Sequence, residues 1–227
     1  MNSTRLPGKV MLPILDKPVL WHIFQRLANC KTLDEICIAT SKNSSDDIIV
    51  EFAKKEGIKF FRGEEEKIAD RLVAAANEFD ADAIVRITGD CPLVDPLVID
   101  ELVSIYRNDT RYDYVSNIIK RTFPDGLDTE VISVNFLRKI FTEIDNSKKH
   151  FSTYIIKNHK KFNYYNYEND KNLAHLRWTL DYEEDFEFIK SVYSKIYPIN
   201  PNFVKNDILK LLNEEPHLSK INEKYCS

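Results

Sequence analysis

Ala83-Ile84-Val85-Arg86-Ile87-Thr88-Gly89-Asp90-Cys91-Pro92 is the stretch that decides the reading of this chain. Ala83 to Ile87 is a short run rich in β-branched residues, which predicts a strand in the middle of a parallel sheet, buried on both faces. Cys91-Pro92 ends it, because proline donates no ladder hydrogen bond and restricts the residue before it. A carboxylate just past the carboxyl end of such a strand lies in the crevice where open α/β sheets bind ligands. The competing role for Asp90 is to cap the following helix. Asp95 is better placed for that, immediately before Pro96 at the first helical position. Asp90 is therefore read as a functional carboxylate.

Outward from this stretch, strand and helix alternate. A helix is expected from Pro18 to about Cys30, a strand from Glu35 to Thr40, and a helix capped by Ser45 and running to Glu56. A strand at Lys59–Phe61 and a helix from Glu64 to Phe79 follow, then a helix from Pro96 to Arg107 and a strand from Tyr112 to Ser116. This is the βαβ pattern of a parallel sheet with right-handed crossovers. Beyond Asn117 the regularity breaks. Lys120 to Glu130 is turn-like at Pro124-Asp125-Gly126 and carries Asp125, Asp128 and Glu130, a set that suits a polyhydroxylated ligand or a plain turn. A strand is expected at Thr129–Val134 and helices at Asn135–Asn146 and Lys148–Lys161. Phe162 to Tyr167 reads as an antiparallel edge or dimer-contact strand, Leu176 to Leu180 as a strand ending at Asp181, and two helices close the chain.

The chain has 227 residues, enough for one α/β domain, and a formal net charge of −4 that argues against broad nucleic-acid binding. The tyrosines at 164, 165 and 167 are accordingly read as packing rather than as base-stacking residues. No apolar run is long enough to span a bilayer, which excludes a membrane protein. Four scattered cysteines without a C-x-x-C pair oppose structural zinc and a disulfide framework and place the protein in a reducing cytoplasm. No G-x-G-x-x-G or P-loop occurs. His22 has no second ligand at helical spacing and reads as a packing or surface residue.

The N-terminal loop, Ser3-Thr4-Arg5-Leu6-Pro7-Gly8-Lys9, places two cations and several backbone N–H groups around one turn. It reads equally as an anion-binding loop and as a free terminus. It also resembles the Ala-Arg-x-x-Ser-x-Arg-Leu-Pro-x-Lys fingerprint of bacterial sugar-acid cytidylyltransferases. Thr88-Gly89-Asp90-Cys91-Pro92 resembles the Gly-Asp-x-Pro of that family, and Asp181 with Glu184-Asp185 its C-terminal Asp-x-x-Glu-Asp. Arg121 to Asp128 and His175 to Thr179 are similar to the branch serving spore-coat polysaccharide biosynthesis. The resemblance spans nearly the whole chain, in order.

The family implies a Rossmann-like nucleotide-diphospho-sugar transferase fold: a mixed, mostly parallel sheet sandwiched by helices, in one domain, often dimeric through the C-terminal half. It implies Mg2+-dependent attack of a sugar-acid hydroxyl on the α-phosphorus of CTP, giving a CMP-sugar and pyrophosphate. By matching positions, Ser3, Arg5, Lys9 and Arg71 touch the nucleotide, with Lys9, Arg5 and Asp90 catalytic. Asp90 and Asp181 hold the metal, their carboxylates expected roughly 4–7 Å apart. Asp125, Asp128, Glu130 and His150 line the sugar, and Arg121 or Arg177 answers its carboxylate. The family also places a strand and an Ala-Arg pair ahead of the position of Met1. That implies an upstream strand and an open slot between the strands near Glu35 and Ile84. Two alternatives stand beside this: a glycosyltransferase of the same fold, whose Asp-x-Asp signature Asp80-Ala81-Asp82 matches in letters, and a catalytically inactive nucleotide-binding relative.

Overall fold

The computed structural model describes residues 1, 3–141 and 151–226. After a 3-10 turn at Lys9–Met11, a tight hairpin pairs β1 (Pro13–Ile14) with β2 (Lys17–Pro18). The extended backbone of Pro18 leads directly into α1 (Val19–Leu27), which buries Val19, Leu20, Ile23 and Leu27 at helical spacing. His22 faces inward as well: its Nε2–H donates to the Ile14 carbonyl at 2.8 Å, and its ring lies 4.4 Å from that of Tyr193.

β3 (Cys37–Ser41) is followed by α2 (Asp47–Glu56). Ser45, expected to cap that helix, lies instead in a 3-10 turn ahead of it. Asp46 precedes the first helical residue, and its carboxylate accepts from Thr40 Oγ1, Ser41 N and Ser41 Oγ rather than from the helix. Gly57 ends α2 in the left-handed region, φ 68°, so that the Ile58 N–H closes on Ala53 O. β4 (Lys59–Gly63) then pairs in parallel with β3. α3 (Ile68–Glu78) starts four residues later than the sequence suggests. The Glu64 and Glu65 carbonyls are taken by the Arg71 guanidinium, at 2.7 and 3.2 Å, which holds that acidic run outside the helix.

The remaining elements are β5 (Ala83–Arg86), α4 (Pro96–Asn108), β6 (Tyr114–Ser116), β7 (Glu130–Ser133), α5 (Val134–Phe141), α6 (Phe151–Asn158), β8 (Tyr164–Asn166), α7 (Glu183–Ile196) and α8 (Lys205–Glu214). Asp95 caps α4 as expected, accepting from Leu97 N at 2.8 Å ahead of Pro96. The second sheet has the order β5-β7-β6-β8. β7 runs antiparallel to both neighbours, while β6 and β8 are parallel.

Three expectations need correction. β5 is not flanked by parallel strands: its ladder partner among the described residues is antiparallel β7, and its side chains are half-buried. As expected, by contrast, β3 and β5 do not pair with each other. β8 lies at the end of the sheet order but parallel to β6, because β7, α5 and α6 intervene between them in the chain, where a direct hairpin would have made them antiparallel. Leu176 to Leu180 forms no strand, only a bridge between Arg177 and Asp125. Its N–H groups are spent on loops instead, Trp178 N on Asp125 O and Leu180 N on Asp90 O.

The four-stranded sheet separates two apolar layers, and adjacent residues on each strand go to opposite sides. Tyr114 and Ile132 join Phe136, Leu137, Ile140 and Ile155 on one face. Val115 and Val131 join Val98, Ile99, Leu102, Phe188 and Ile189 on the other. Helices thus cover both faces, and the loops at the carboxyl end of β5 are left to form a site.

Candidate active site

Thr88 to Pro92 leave β5 in a turn closed by Cys91 N on Thr88 O. Thr88 Oγ1 donates to Asp90 Oδ1 at 2.5 Å and fixes that carboxylate. The Asp90 carbonyl accepts from Leu180 N at 2.8 Å and Thr179 Oγ1 at 3.1 Å. Those two bonds draw the 179–181 segment alongside and carry Asp181, ninety-one positions later in sequence, to the same place.

The N-terminal loop completes the cluster. Ser3 Oγ accepts from Leu6 N, and the Pro7-Gly8 turn leads into the short 3-10 helix that aims Lys9 inward. Lys9 Nζ donates to Asp90 Oδ2 and to Asp181 Oδ1, each at 2.9 Å, so these two oxygens are no farther apart than twice that distance. Arg5 Nη2 also lies 2.9 Å from Asp181 Oδ1, with its guanidinium 5.0 Å from the Tyr182 ring. Burial alone would lower the Lys9 pKa, but the Asp90 charge and the bonds to both carboxylates outweigh it and hold the ammonium above its ordinary value. Burial likewise pushes the Asp90 carboxyl up, and Lys9 and Thr88 more than offset it, leaving it below the usual range.

Behind Asp181 stands a fully buried carboxylate, Asp185. Its Oδ2 accepts from Asp181 N at 2.9 Å, Tyr182 N at 3.0 Å and Arg177 Nη2 at 2.9 Å; its Oδ1 accepts from Arg177 Nε and Asn222 Nδ2, both at 2.9 Å. The same guanidinium reaches Asp125 Oδ2 at 3.2 Å and Asp181 Oδ2 at 3.4 Å. Arg177 is thus the hub tying the 125–128 loop to Asp181. The C-terminal segment closes over it, with Tyr225 stacked on Tyr182 at 3.8 Å between ring centroids.

Asp125 and Asp128 sit together as expected, yet both are engaged. Arg121 grips Asp128 through two nitrogens at 2.5 and 2.8 Å and reaches Asp125 at 3.4 Å. Burial, aided by Asp128 and Asp90, lifts the Asp125 carboxyl above its ordinary value despite the nearby arginines. Gly126 has φ 114°, and a Cβ there would lie 2.5 Å from the Trp178 carbonyl carbon, so only glycine lets the loop lie against the 177–179 segment.

Several sequence-derived assignments change. Glu130 is buried in the sheet, accepting from Arg86, from Tyr114 OH at 2.7 Å and from Ser152 Oγ at 3.1 Å, and presents no free oxygen to a sugar. Arg177 is consumed by aspartates rather than held ready for a substrate carboxylate, and Arg121 is held in the same way. Arg71, on α3, lies against the end of β4, where its stem covers Gly63 and its guanidinium binds main-chain carbonyls; Ser3 caps its own loop. Neither touches the Lys9 cluster. His150 lies outside the described residues. Asp80-Ala81-Asp82 sits at the amino end of β5, where the Asp82 carbonyl accepts from Val134 N, away from the cluster. Asp185, Asn222, Tyr182 and Tyr225 also belong to the cluster, and sequence spacing alone assigns them no role. Asp185 is the last residue of the Asp-x-x-Glu-Asp motif, whereas Asn222 lies forty-five positions from Arg177 with nothing in the sequence to pair them.

Among the described residues no three or more His, Cys, Asp or Glu side chains form a metal cage. Two aspartates are nevertheless the donor set that Mg2+ uses when substrate phosphates and water complete its shell. A cation, the Lys9 ammonium, already bridges them. The residues present therefore fit a divalent metal.

Solved structures that share this fold include a cytidylyltransferase and a CMP-sugar-acid synthetase. A cytidylyltransferase from Leptospira borgpetersenii superposes with a TM-score of 0.91 at 32% identity, over 96% of this chain and 92% of that one. A CMP:2-keto-3-deoxy-manno-octonic acid synthetase, solved with CTP, has a TM-score of 0.64 over 85% of this chain and 94% of its own, and at 16% identity it is a likeness of fold. The spore coat polysaccharide biosynthesis protein SpsF of Bacillus subtilis is 32% identical over 227 aligned positions, covering 95% of this chain and 92% of that protein. The chain belongs to the cytidylyltransferase family, whose profile it matches over residues 1–199.

Proposed function

We propose that this protein transfers the cytidylyl group of CTP to a hydroxyl of a sugar acid, releasing pyrophosphate and a CMP-sugar for surface polysaccharide synthesis. The observation that carries this reading is the convergence of Lys9, Arg5, Asp90 and Asp181 at the carboxyl end of β5, two cations and two carboxylates joined by contacts of 2.9 Å. Such a reaction asks the protein mainly to position the reactants and neutralise charge.

Lys9 and Arg5 bind the triphosphate, exchanging aspartate oxygens for phosphate oxygens. Asp90 and Asp181 would hold Mg2+, which when bound neutralises phosphate charge and polarises the phosphorus under attack. Arg177 and Asp185 set the Asp181 side chain. The acceptor lies beside the loop bearing Asp125 and Asp128. As the sugar oxygen bonds to the α-phosphorus it gives up its proton to solvent water, and the bond to the bridging oxygen breaks to free pyrophosphate.

The four cysteines are unpaired thiols, and no described helix is long and apolar enough to cross a membrane; we place the protein in the cytoplasm. Outermost β8, with Tyr165 exposed, supports a homodimer contact in the C-terminal half.

A pyrophosphate-release screen of CTP, UTP and GTP against a panel of sugar acids tests the reading. Release with CTP and at least one acid is expected. Release of a nucleoside diphosphate from a sugar nucleotide, or no turnover with any pair, would overturn it.

A further inference from the structure

We infer that the Lys9 ammonium is the resident counter-ion of the Asp90–Asp181 pair, which a divalent cation must displace, so that metal and triphosphate bind cooperatively. This rests on the assignment of those aspartates as metal ligands. The cations around them are not equivalent. Arg177 is locked: both oxygens of buried Asp185 hold its fork, and it cannot leave without stranding that carboxylate. Lys9 and Arg5 are carried by the N-terminal loop on long, unbranched stems, and each shares Asp181 Oδ1 at 2.9 Å. Lys9 alone among them touches both aspartates.

A metal ion approaching these two carboxylates therefore meets an ammonium group already seated between them. It can enter only as Lys9 moves off, and Lys9 moves off readily only when another anion receives it. The triphosphate is such an anion. Its oxygens give Lys9 and Arg5 new partners as the aspartates become free, so the charge exchange is balanced at every stage. By linkage, whatever factor the nucleotide adds to metal affinity, the metal adds to nucleotide affinity. In the absence of nucleotide the same arrangement keeps the site closed to free divalent ions.

The test is Mn2+ binding followed by electron paramagnetic resonance on nucleotide-free protein. Lys9→Met should bind Mn2+ more tightly than the unaltered chain, by roughly 5- to 150-fold, the usual span of coupling between ligands. Lys9→Gln, which keeps a hydrogen-bond donor but no charge, should also gain, and it serves if the methionine variant does not fold. Adding Asp90→Asn to either should erase the gain, which locates the ion. Lys224→Met removes an exposed lysine paired with Glu184 and should gain nothing, which separates displacement from a change in net charge. Folded Lys9 variants that bind Mn2+ no better than the parent, or a gain that survives Asp90→Asn, would overturn the inference. A parent chain that releases no pyrophosphate from CTP would instead count against the proposed function, since these Mn2+ affinities are measured without nucleotide.

Discussion

Asp185→Asn is the substitution whose effect the structure fixes most closely. The carboxylate is fully buried and accepts five hydrogen bonds, three on Oδ2 and two on Oδ1. Asparagine matches the shape but turns one oxygen into a donor. The less costly orientation faces the amide nitrogen toward Arg177 Nε and Asn222 Nδ2, so two buried donors lose their acceptor. At ~1–3 kcal/mol for each donor left unsatisfied, the loss is about 2–6 kcal/mol. The stranded charge adds less than it would for an isolated pair, because Asp125 and Asp181 still hold the other end of the guanidinium. A chain of this size shifts its midpoint by roughly 2–4 °C for each kcal/mol. Calorimetry should therefore record a melt lowered by at least about 4 °C. The variant should also bind Mn2+ and CTP together more weakly, since the Asp181 and Tyr182 turn is no longer pinned. An unchanged melting temperature would refute the role assigned to Asp185.

Other consequences follow from the same contacts. Gly126→Ala forces a Cβ against the Trp178 carbonyl carbon at φ 114°, and should cost ~1–3 kcal/mol by urea titration; a neutral result would mean that the loop can move away freely. Glu130→Ala leaves Arg86 and Tyr114 OH without their buried carboxylate and should cost ~3–5 kcal/mol, while the KM for the sugar in surviving enzyme stays unchanged; a raised KM would return Glu130 to the substrate site. His22 is held neutral, its pKa lowered by burial despite the Ile14 bond. The folded state therefore resists a proton that the unfolded chain accepts. Stability is full above about pH 6.5 and declines as pH falls below it, by at most about 1.4 kcal/mol per unit from this residue. His22→Phe should flatten that part of the profile, and an identical slope would assign the loss to other groups.

Much of this arrangement was legible in the sequence because it depends on short-range chemistry. Asp95 before Pro96 announces a cap, Gly57 a helix end, and the run from Ala83 to Ile87 a strand that delivers Asp90 to a turn. Strand geometry sends Tyr114 and Val115, like Val131 and Ile132, to opposite layers, but all four are apolar and the sequence does not say which goes where. It cannot tell which strand lies alongside, so antiparallel β7 beside β5 and parallel β8 beside β6 were open to the sheet as a whole. Glu130 was misread because its carboxylate is neutralised by Arg86 from another strand, a partner forty-four positions away. Arg177 looked like a free cation for the same reason: Asp185 follows closely in sequence, but Asp125 and Asn222 reach the cluster only through tertiary packing. The Leu176–Leu180 segment has strand-like residues, yet its N–H groups found carbonyls in two loops before any ladder.

The central claim is that cytidylyl transfer occurs where Lys9 bridges Asp90 and Asp181. Phosphorus NMR of CTP incubated with a sugar acid and divalent metal measures this directly. The parent protein should convert the α-phosphorus into the phosphodiester of a CMP-sugar, with pyrophosphate appearing in equal amount. Asp90→Asn and Asp181→Asn, folded and melting cooperatively, should leave CTP intact. Undiminished conversion by either variant, or release of cytidine diphosphate in place of pyrophosphate, would contradict the account.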